Sequence, residues 1–249
     1  MTKILLCGCF GKMGRVITQL VAGRSDCEIA AGVDLCGGEA DFPVYTKIDM
    51  VKEPVDVIID FSHPTLLTDI LGFAAEHGSV PSVLCTTGYS AEQVEALKAA
   101  SATLPIFYSR NMSLGINLLI ELSKKAAKVL GNDFDIEIIE MHHNQKIDAP
   151  SGTALMLADA IASVRDAESE YTYDRHAQRK KRETAEIGLH AVRGGTIVGE
   201  HEVIFAGNHE VITLSHSAQS KELFAVGAVN AAVYMSGKPA GLYDMSDLI

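Results

Sequence analysis

The sequence predicts an α/β fold: a parallel sheet of the dinucleotide-binding type, followed by a smaller α+β domain with its own sheet. Three observations carry this. A glycine turn joins an apolar run to a helix-period segment, and an acid closes the next apolar run. Strand-like and helix-like patterns then alternate to about residue 108, as a parallel sheet with crossover helices requires. Beyond Ser113 that style gives way to a cluster of alternating strands, before a last apolar helix.

Lys3 to Cys7 reads as a short buried strand, leading into Gly8-Cys9-Phe10-Gly11-Lys12-Met13-Gly14. Met13, Val16, Ile17, Leu20 and Val21 then recur at helical spacing until Gly23, and Cys27 to Val33 is a second strand ending at Asp34. Each glycine has a physical job: Gly8 for the tight turn, Gly11 for close approach of a pyrophosphate, Gly14 for packing the helix on the sheet. Lys12 and Met13 open the helix, whose N-terminal N–H groups and dipole favour phosphate. Asp34, about twenty residues after Gly14, is placed to accept the adenosine ribose hydroxyls. This GxxGxxG spacing is a variant of the Rossmann fingerprint. Leu35, Cys36 and two glycines follow the acid where a 2′-phosphate would want a cation, so NADH is favoured over NADPH; Lys12 and Lys47 are the nearest cations in sequence.

Val55 to Phe61 is a third strand, with Pro64 suited to the start of a helix from Thr65 to His77. Val80 to Cys85 is a fourth, ending in Thr86-Thr87-Gly88, and Ser90 with Gln93 forms a capping box for a helix to about Ala102. Ile106 to Tyr108 is the fifth, before Asn111 and Met112. Ligands bind beyond the carboxyl ends of parallel strands, so Phe61 and the Thr86-Thr87-Gly88 turn are expected to border the nicotinamide.

Ser113 caps a helix from Leu114 to Leu130, stopped by Gly131. Phe134 to Met141 is a strand and Ser151 caps a helix to about Val164. Residues 165 to 186, with Arg179-Lys180-Lys181-Arg182, read as a solvated polar loop. Ile187 to Arg193, Thr196 to Phe205 and Glu210 to Ser215 are strands of an antiparallel-type sheet, and Lys221 to Met235 is a helix apolar enough to pack back on the first domain. The expected division is therefore 1–112 with 219–249, and 113–218. Hinges near 110–113 and 217–221 would let the domains close over bound ligands.

A formal net charge of −11 argues against non-specific nucleic-acid binding. The five cysteines form no CxxC pair and no disulfide framework, which suits a reduced, cytoplasmic setting. The apolar run from Ile4 is cut short at Gly8, and no stretch approaches a membrane span. There is no internal repeat and no metal-ligand spacing.

Chemistry concentrates in EIIEMHHNQKIDAPSGTA, residues 137 to 154. His142, His143 and Lys146 bring proton donors and a cation beside a helix opening at Ser151, Gly152 and Thr153. Such a cluster can grip an anion and hand protons to it.

These residues resemble the dihydrodipicolinate reductase family of bacterial lysine biosynthesis. The likeness runs through GCFGKMG (8–14), DFSHP (60–64), TTG (86–88), RNMSLGINLL (110–119), EMHHNQKIDAPSGTA (140–154), VRGGTIVGEHEV (192–203) and FAVGAV (224–229). It implies a Rossmann domain completed by the C-terminal tail and a central mixed-sheet domain that binds substrate and assembles a homotetramer. The reaction implied is NAD(P)H-dependent reduction of 4-hydroxy-tetrahydrodipicolinate, a dicarboxylate, to tetrahydrodipicolinate with loss of water. The resemblance assigns His142 and Lys146 as the acid–base pair. It gives His143, Lys146, Ser151, Gly152 and Thr153 to the substrate, and Gly11, Lys12, Met13, Asp34, Thr86, Gly88, Asn111 and Met112 to the cofactor. The family often carries a basic residue where this chain has Leu35. Two other readings exist: a dinucleotide sensor without chemistry, or another two-domain nicotinamide reductase. An aspartate semialdehyde-type enzyme would need a cysteine in the second domain, and none follows Cys85.

Overall fold

The computed structural model describes residues 1–166, 168–177 and 179–249. In chain order the elements are β1 (Thr2–Cys7), α1 (Lys12–Ala22), β2 (Cys27–Val33), β3 (Val44–Tyr45), β4 (Val57–Asp60), α2 (Leu67–Glu76), β5 (Ser82–Leu84), α3 (Ala91–Ala100) and β6 (Pro105–Tyr108). There follow α4 (Leu114–Leu130), β7 (Asp135–His142), α5 (Gly152–Ala162), β8 (Glu170–Thr172), β9 (Glu186–Arg193), β10 (Gly199–Ala206) and β11 (Val211–Ala218). The chain ends with α6 (Glu222–Met235) and β12 (Gly241–Tyr243). It divides into two compact units, 1–114 with 222–249, and 115–221.

In the first unit the strands pair in the order β12-β6-β5-β4-β1-β2-β3, all parallel. The order reverses between β1 and β4, and the crevice at that switch is where such sheets bind ligands. Both faces are apolar, as a sheet covered on two sides demands. Ile4, Leu6, Val57 and Ile59 pack with Ile17 of α1 and Ala228, Val229 and Ala232 of α6. Leu5, Ile58, Leu84 and Ile106 pack with Ile70 and Phe73 of α2 and Leu97 of α3. The C-terminal segment thus completes the first unit, α6 covering one face and β12 extending the edge beside β6. Gly227 makes that packing close, since a Cβ there would fall 1.7 Å from the Met112 carbonyl oxygen. The capping box forms: Ser90 Oγ accepts from the Gln93 N–H and the Gln93 side chain accepts from the Ser90 N–H.

The second unit has the order β11-β10-β7-β9-β8. β10 is antiparallel to β7 and β11, whereas β7 and β8 run parallel to β9, so this sheet is mixed and not the antiparallel type that the strand pattern suggested. β7 and β9 are parallel because α5 lies between them in the chain and crosses over one face. Leu157 and Ile161 of α5 are fully buried against Ile138, Leu189, Val203 and Phe205, each contributing about 1.5–3 kcal/mol.

Among the described residues of 165–186, Arg179, Lys180 and Lys181 are exposed loop, as the sequence suggests, but the stretch also holds a strand and two anchored arginines. β8 pairs with β9, and the arginines are held by acids on the sheet. Arg182 donates to Asp135 at 2.8 Å and Glu137 at 3.0 Å, and Arg175 to Glu137 at 2.7 Å and Glu186 at 2.6 Å. Glu186 has no exposed surface, and Arg175 holds its carboxyl down to about 2. Ala167 and Gln178, which fall in the same stretch, lie outside the described residues. Among the described residues no helix is long and apolar enough to cross a membrane.

Candidate active site

The first unit builds its site mainly from backbone. β1 ends at Cys7, and Gly8 turns the chain with φ +79° while its N–H donates to the Val33 carbonyl at 2.8 Å. A Cβ at Gly8 would lie 2.5 Å from the Phe61 carbonyl oxygen, so the turn and the end of β4 are in close contact. A Cβ at Gly14 would lie 2.1 Å from the Gly8 oxygen, which is the close packing expected of it. Gly11 is exposed and caps α1 without a side-chain bond, leaving the helix N-terminus at Lys12 and Met13 open to an anion. Lys12 is exposed and Met13 half-buried.

Asp34 is tied into this turn. Its Oδ2 accepts from the Phe10 N–H at 3.0 Å and its Oδ1 from the Cys36 N–H at 3.1 Å. A cavity of about 530 Å³ opens there, lined by Phe10, Gly11, Arg15, Asp34 and Glu39 among others. Leu35 is 86% exposed. Arg15 had no place in the sequence reading, yet it reaches this cavity. Its Nε donates to the Phe10 oxygen at 3.0 Å and its guanidinium stands 5.9 Å from the Phe10 ring centroid.

Phe61 and the Thr86-Thr87-Gly88 turn are the residues that the sequence sets beside a nicotinamide. Phe61 is half-buried, Thr87 and Gly88 are exposed, and Gly88 turns with φ +85°. Thr86 Oγ1 is buried with no hydrogen-bond partner of good geometry among the described residues. An orphaned hydroxyl beyond β5 and an uncapped helix N-terminus beyond β1 are what a nicotinamide dinucleotide would complete. Asn111 and Met112 are buried just after β6, with Asn111 Oδ1 accepting from the Ser113 N–H at 2.8 Å.

In the second unit the site is made of side chains on one sheet face. Strand alternation puts Glu140 and His142 on the same face of β7. Register sets His201 of β10 opposite Glu140, and Arg193 of β9 beside His142. Glu140 has no exposed surface. Its Oε2 accepts from His142 Nδ1 at 2.6 Å and Arg193 Nη1 at 2.8 Å. Its Oε1 accepts from Arg193 Nη2 at 2.7 Å and the Ser151 N–H at 2.9 Å. Burial pushes this carboxyl up, but the bonds from Arg193, His142 and Ser151 outweigh it and leave the group below its usual range.

The loop after β7 carries Lys146, whose Nζ pairs with Asp148 Oδ1 at 2.8 Å. Arg193 Nη2 also donates to the Asp148 carbonyl at 2.6 Å, fixing that loop to β9. His143 is half-buried, and its carbonyl accepts from the Lys146 N–H at 3.1 Å. Ser151 caps α5, its Oγ accepting from the Ala154 N–H at 3.1 Å and meeting His201 Nε2 at the same distance. Ser151 is 1% exposed, so its hydroxyl shapes the helix start and does not face outward. Gly152 is exposed with nothing near a would-be Cβ, and Thr153 is half-buried. Burial and the neighbouring His142 push His201 down to about 4, which keeps it neutral.

The structure thus gathers His142, His143, Lys146 and the Ser151–Thr153 helix start in one unit, and the glycine turn, Asp34 and Phe61 in the other. Sequence reasoning missed Glu140, Arg193 and His201. Glu140 could have been found, two residues before His142 and so on its face; the other two arrive only through strand register.

Comparison with known proteins supplies the family. Residues 2–112 match the family described as Dihydrodipicolinate reductase, N-terminus, and 115–249 match Dihydrodipicolinate reductase, C-terminus. The second match includes α6 and β12, which return to the first unit in space. The chain is 53% identical to the 4-hydroxy-tetrahydrodipicolinate reductase of Caldanaerobacter subterraneus subsp. tengcongensis, over 100% of this chain and 98% of that protein. It is 49% identical to that of Clostridium tetani, over 100% and 97%. The structure resembles a dipicolinate-bound dihydrodipicolinate reductase from Paenisporosarcina sp. TG-14, with TM-score 0.82, 25% identity and both chains covered in full. A probable dehydrogenase from Thermotoga maritima shares the fold at TM-score 0.60 and 11% identity, over 98% of this chain and 92% of that one. With both halves matched and full-length relatives at about half identity, the chain belongs to the dihydrodipicolinate reductase family.

Proposed function

We propose that His142 and Lys146 carry the proton chemistry of this family's reaction, with Lys146 as donor. The reaction is NAD(P)H-dependent reduction of 4-hydroxy-tetrahydrodipicolinate to tetrahydrodipicolinate, with loss of water, in the diaminopimelate route of lysine biosynthesis. Gly8, Gly11, Lys12, Met13, Gly14, Asp34, Phe61, Thr86, Thr87, Gly88, Asn111 and Met112 would hold the nicotinamide dinucleotide, which would supply a hydride to the ring carbon that bore the hydroxyl, once that hydroxyl and a proton of the adjacent carbon have left as water. The adjacent ring carbon then needs a proton. The carrying observation is Lys146 paired at 2.8 Å with the exposed Asp148 carboxylate. When Lys146 gives up its proton, the charge left behind is solvated and not stranded. Gly152 and Thr153, at the open N-terminus of α5, receive one substrate carboxylate, with His143 and Lys146 beside it. His142 polarises or relays protons from its Nε2 edge.

NADH is the preferred cofactor in this proposal. A 2′-phosphate would add negative charge beside Asp34 and Glu39, where exposed Leu35 offers nothing in return. Arg15 is already engaged by the Phe10 carbonyl and ring. The same reading includes a cytoplasmic homotetramer. The family resemblance supports the assembly, and four buried free cysteines support the reduced setting.

The test is loss of nicotinamide absorbance with substrate formed in situ from pyruvate and aspartate semialdehyde by the synthase. Oxidation is expected with both cofactors, with kcat/KM at least about tenfold higher for NADH, or ~1.4 kcal/mol. Cofactor binding without oxidation would move the sensor reading to the front.

A further inference from the structure

Four donors converge on the two oxygens of Glu140: His142 Nδ1 and Arg193 Nη1 on Oε2, Arg193 Nη2 and the Ser151 N–H on Oε1. An ionised carboxylate has only acceptors, so it satisfies all four. The guanidinium and the backbone amide cannot become acceptors, whereas an imidazole nitrogen can. Hence the protonation pattern of His142 is the one free variable at this site, and the carboxylate decides it. With hydrogen on Nδ1, a neutral His142 presents Nε2 as its lone-pair edge. That edge lies beside Gly199, where a Cβ would come within 3.1 Å of Nε2, so the glycine keeps it uncovered on that side. Arg193 also holds the Asp148 carbonyl, tying the Lys146 loop to the same carboxylate.

The geometry points to Glu140 as the positioning residue of the reaction: it locks His142 in the Nδ1–H tautomer and, through Arg193, registers the Lys146 loop against it. This deepens the reading of His142 and Lys146 above and rests on it.

The consequence is sharp for Glu140→Gln, which changes size little but replaces one acceptor oxygen by an NH₂ group. Placed toward Oε1, that group meets a backbone N–H that cannot switch. Placed toward Oε2, it loses the bond from Arg193 Nη1 but meets Nδ1, which can switch, so only one fixed donor is opposed there against two (the Ser151 N–H and Arg193 Nη2) at Oε1. The amide therefore turns toward His142 and drives it to the Nε2–H tautomer, withdrawing the lone pair from the substrate side. Because the oxygen left on the other side still receives Ser151 and Arg193 Nη2, substrate affinity is little affected.

The experiment is the ¹⁵N–¹H spectrum of histidine-labelled protein, together with kcat and KM, for wild type, Glu140→Gln and Glu140→Asp. Wild-type His142, when neutral, is expected as the Nδ1–H tautomer. Glu140→Gln is expected to show Nε2–H, with kcat down roughly 10²-fold and KM nearly unchanged. Glu140→Asp, still acceptor-only, is expected to recover Nδ1–H and part of kcat. An Nε2–H tautomer in the wild type overturns the inference without reference to any variant that fails to fold. So does an unswitched tautomer in folded Glu140→Gln, whatever its rate. A switched tautomer with undiminished kcat upholds the positioning of His142 but overturns its part in the chemistry proposed above.

Discussion

The glycine turn of the first unit and the Glu140 cluster of the second are two ways of building a site. The turn uses backbone: N–H groups, a helix dipole and glycines whose missing Cβ atoms allow close approach. The cluster uses side chains, with one buried carboxylate accepting hydrogen bonds from a histidine, an arginine and a helix start. The first should tolerate side-chain exchange and reject a Cβ added at Gly8 or Gly14. The second should tolerate small additions at its open edge and reject conservative exchange at its centre.

The largest break expected is at Gly14. Its Cβ would lie 2.1 Å from one backbone oxygen and 2.6 Å from another, neither of which can move away cheaply. Gly14→Ala should therefore cost about 1–3 kcal/mol of stability and most of the NADH affinity, read by thermal unfolding and cofactor fluorescence. At Gly152 no atom lies within 4 Å of the would-be Cβ. Gly152→Ala should leave thermal stability unchanged or slightly raised, because alanine suits a helix better than glycine, while raising KM for substrate. Equal destabilisation by both changes would erase the distinction.

A smaller effect is set by pH and belongs to the second unit. His201 is neutral when folded, with its pKa pushed down to about 4, whereas an unfolded histidine takes a proton near 6.5. The unfolded state then binds more protons, so stability falls as pH drops from about 6.5 to about 4. Glu186 behaves as a depressed carboxyl: its stabilisation is complete above about 4.3 and is lost as pH falls toward about 2. The melting temperature should decline through both windows, and His201→Gln should shrink the upper one, leaving the part due to His216, which burial also pushes down. A flat profile between about pH 6.5 and 4 would contradict the buried neutral His201.

The same contrast explains what could be read from the chain alone. The glycine turn was legible because its parts are local: Gly8, Gly11 and Gly14 fall within one turn, and Asp34 ends the next strand. The residues from His142 to Thr153 were legible as a linear cluster with a capped helix. Strands β3, β8 and β12 were not, being two or three residues long and too short to show a period. The polar stretch holding Arg175 and Arg182 looked solvated because Glu137 lies on a strand far away in the chain, and Glu186, at the end of the stretch, is turned toward them only by opening β9. Arg193 and His201 were hidden for the same reason, since parallel pairing of β7 with β9 is a property of the crossover and not of either strand.

The most direct test of the central claim, that the first unit holds cofactor while Lys146 supplies the proton, is Lys146→Ala with NADH binding and NADH oxidation measured on the same sample. Binding should be unchanged, and oxidation should fall by roughly 10²- to 10⁴-fold. Oxidation that survives the substitution at near wild-type rate would remove Lys146 from the chemistry, and with it the division of labour between the two sites.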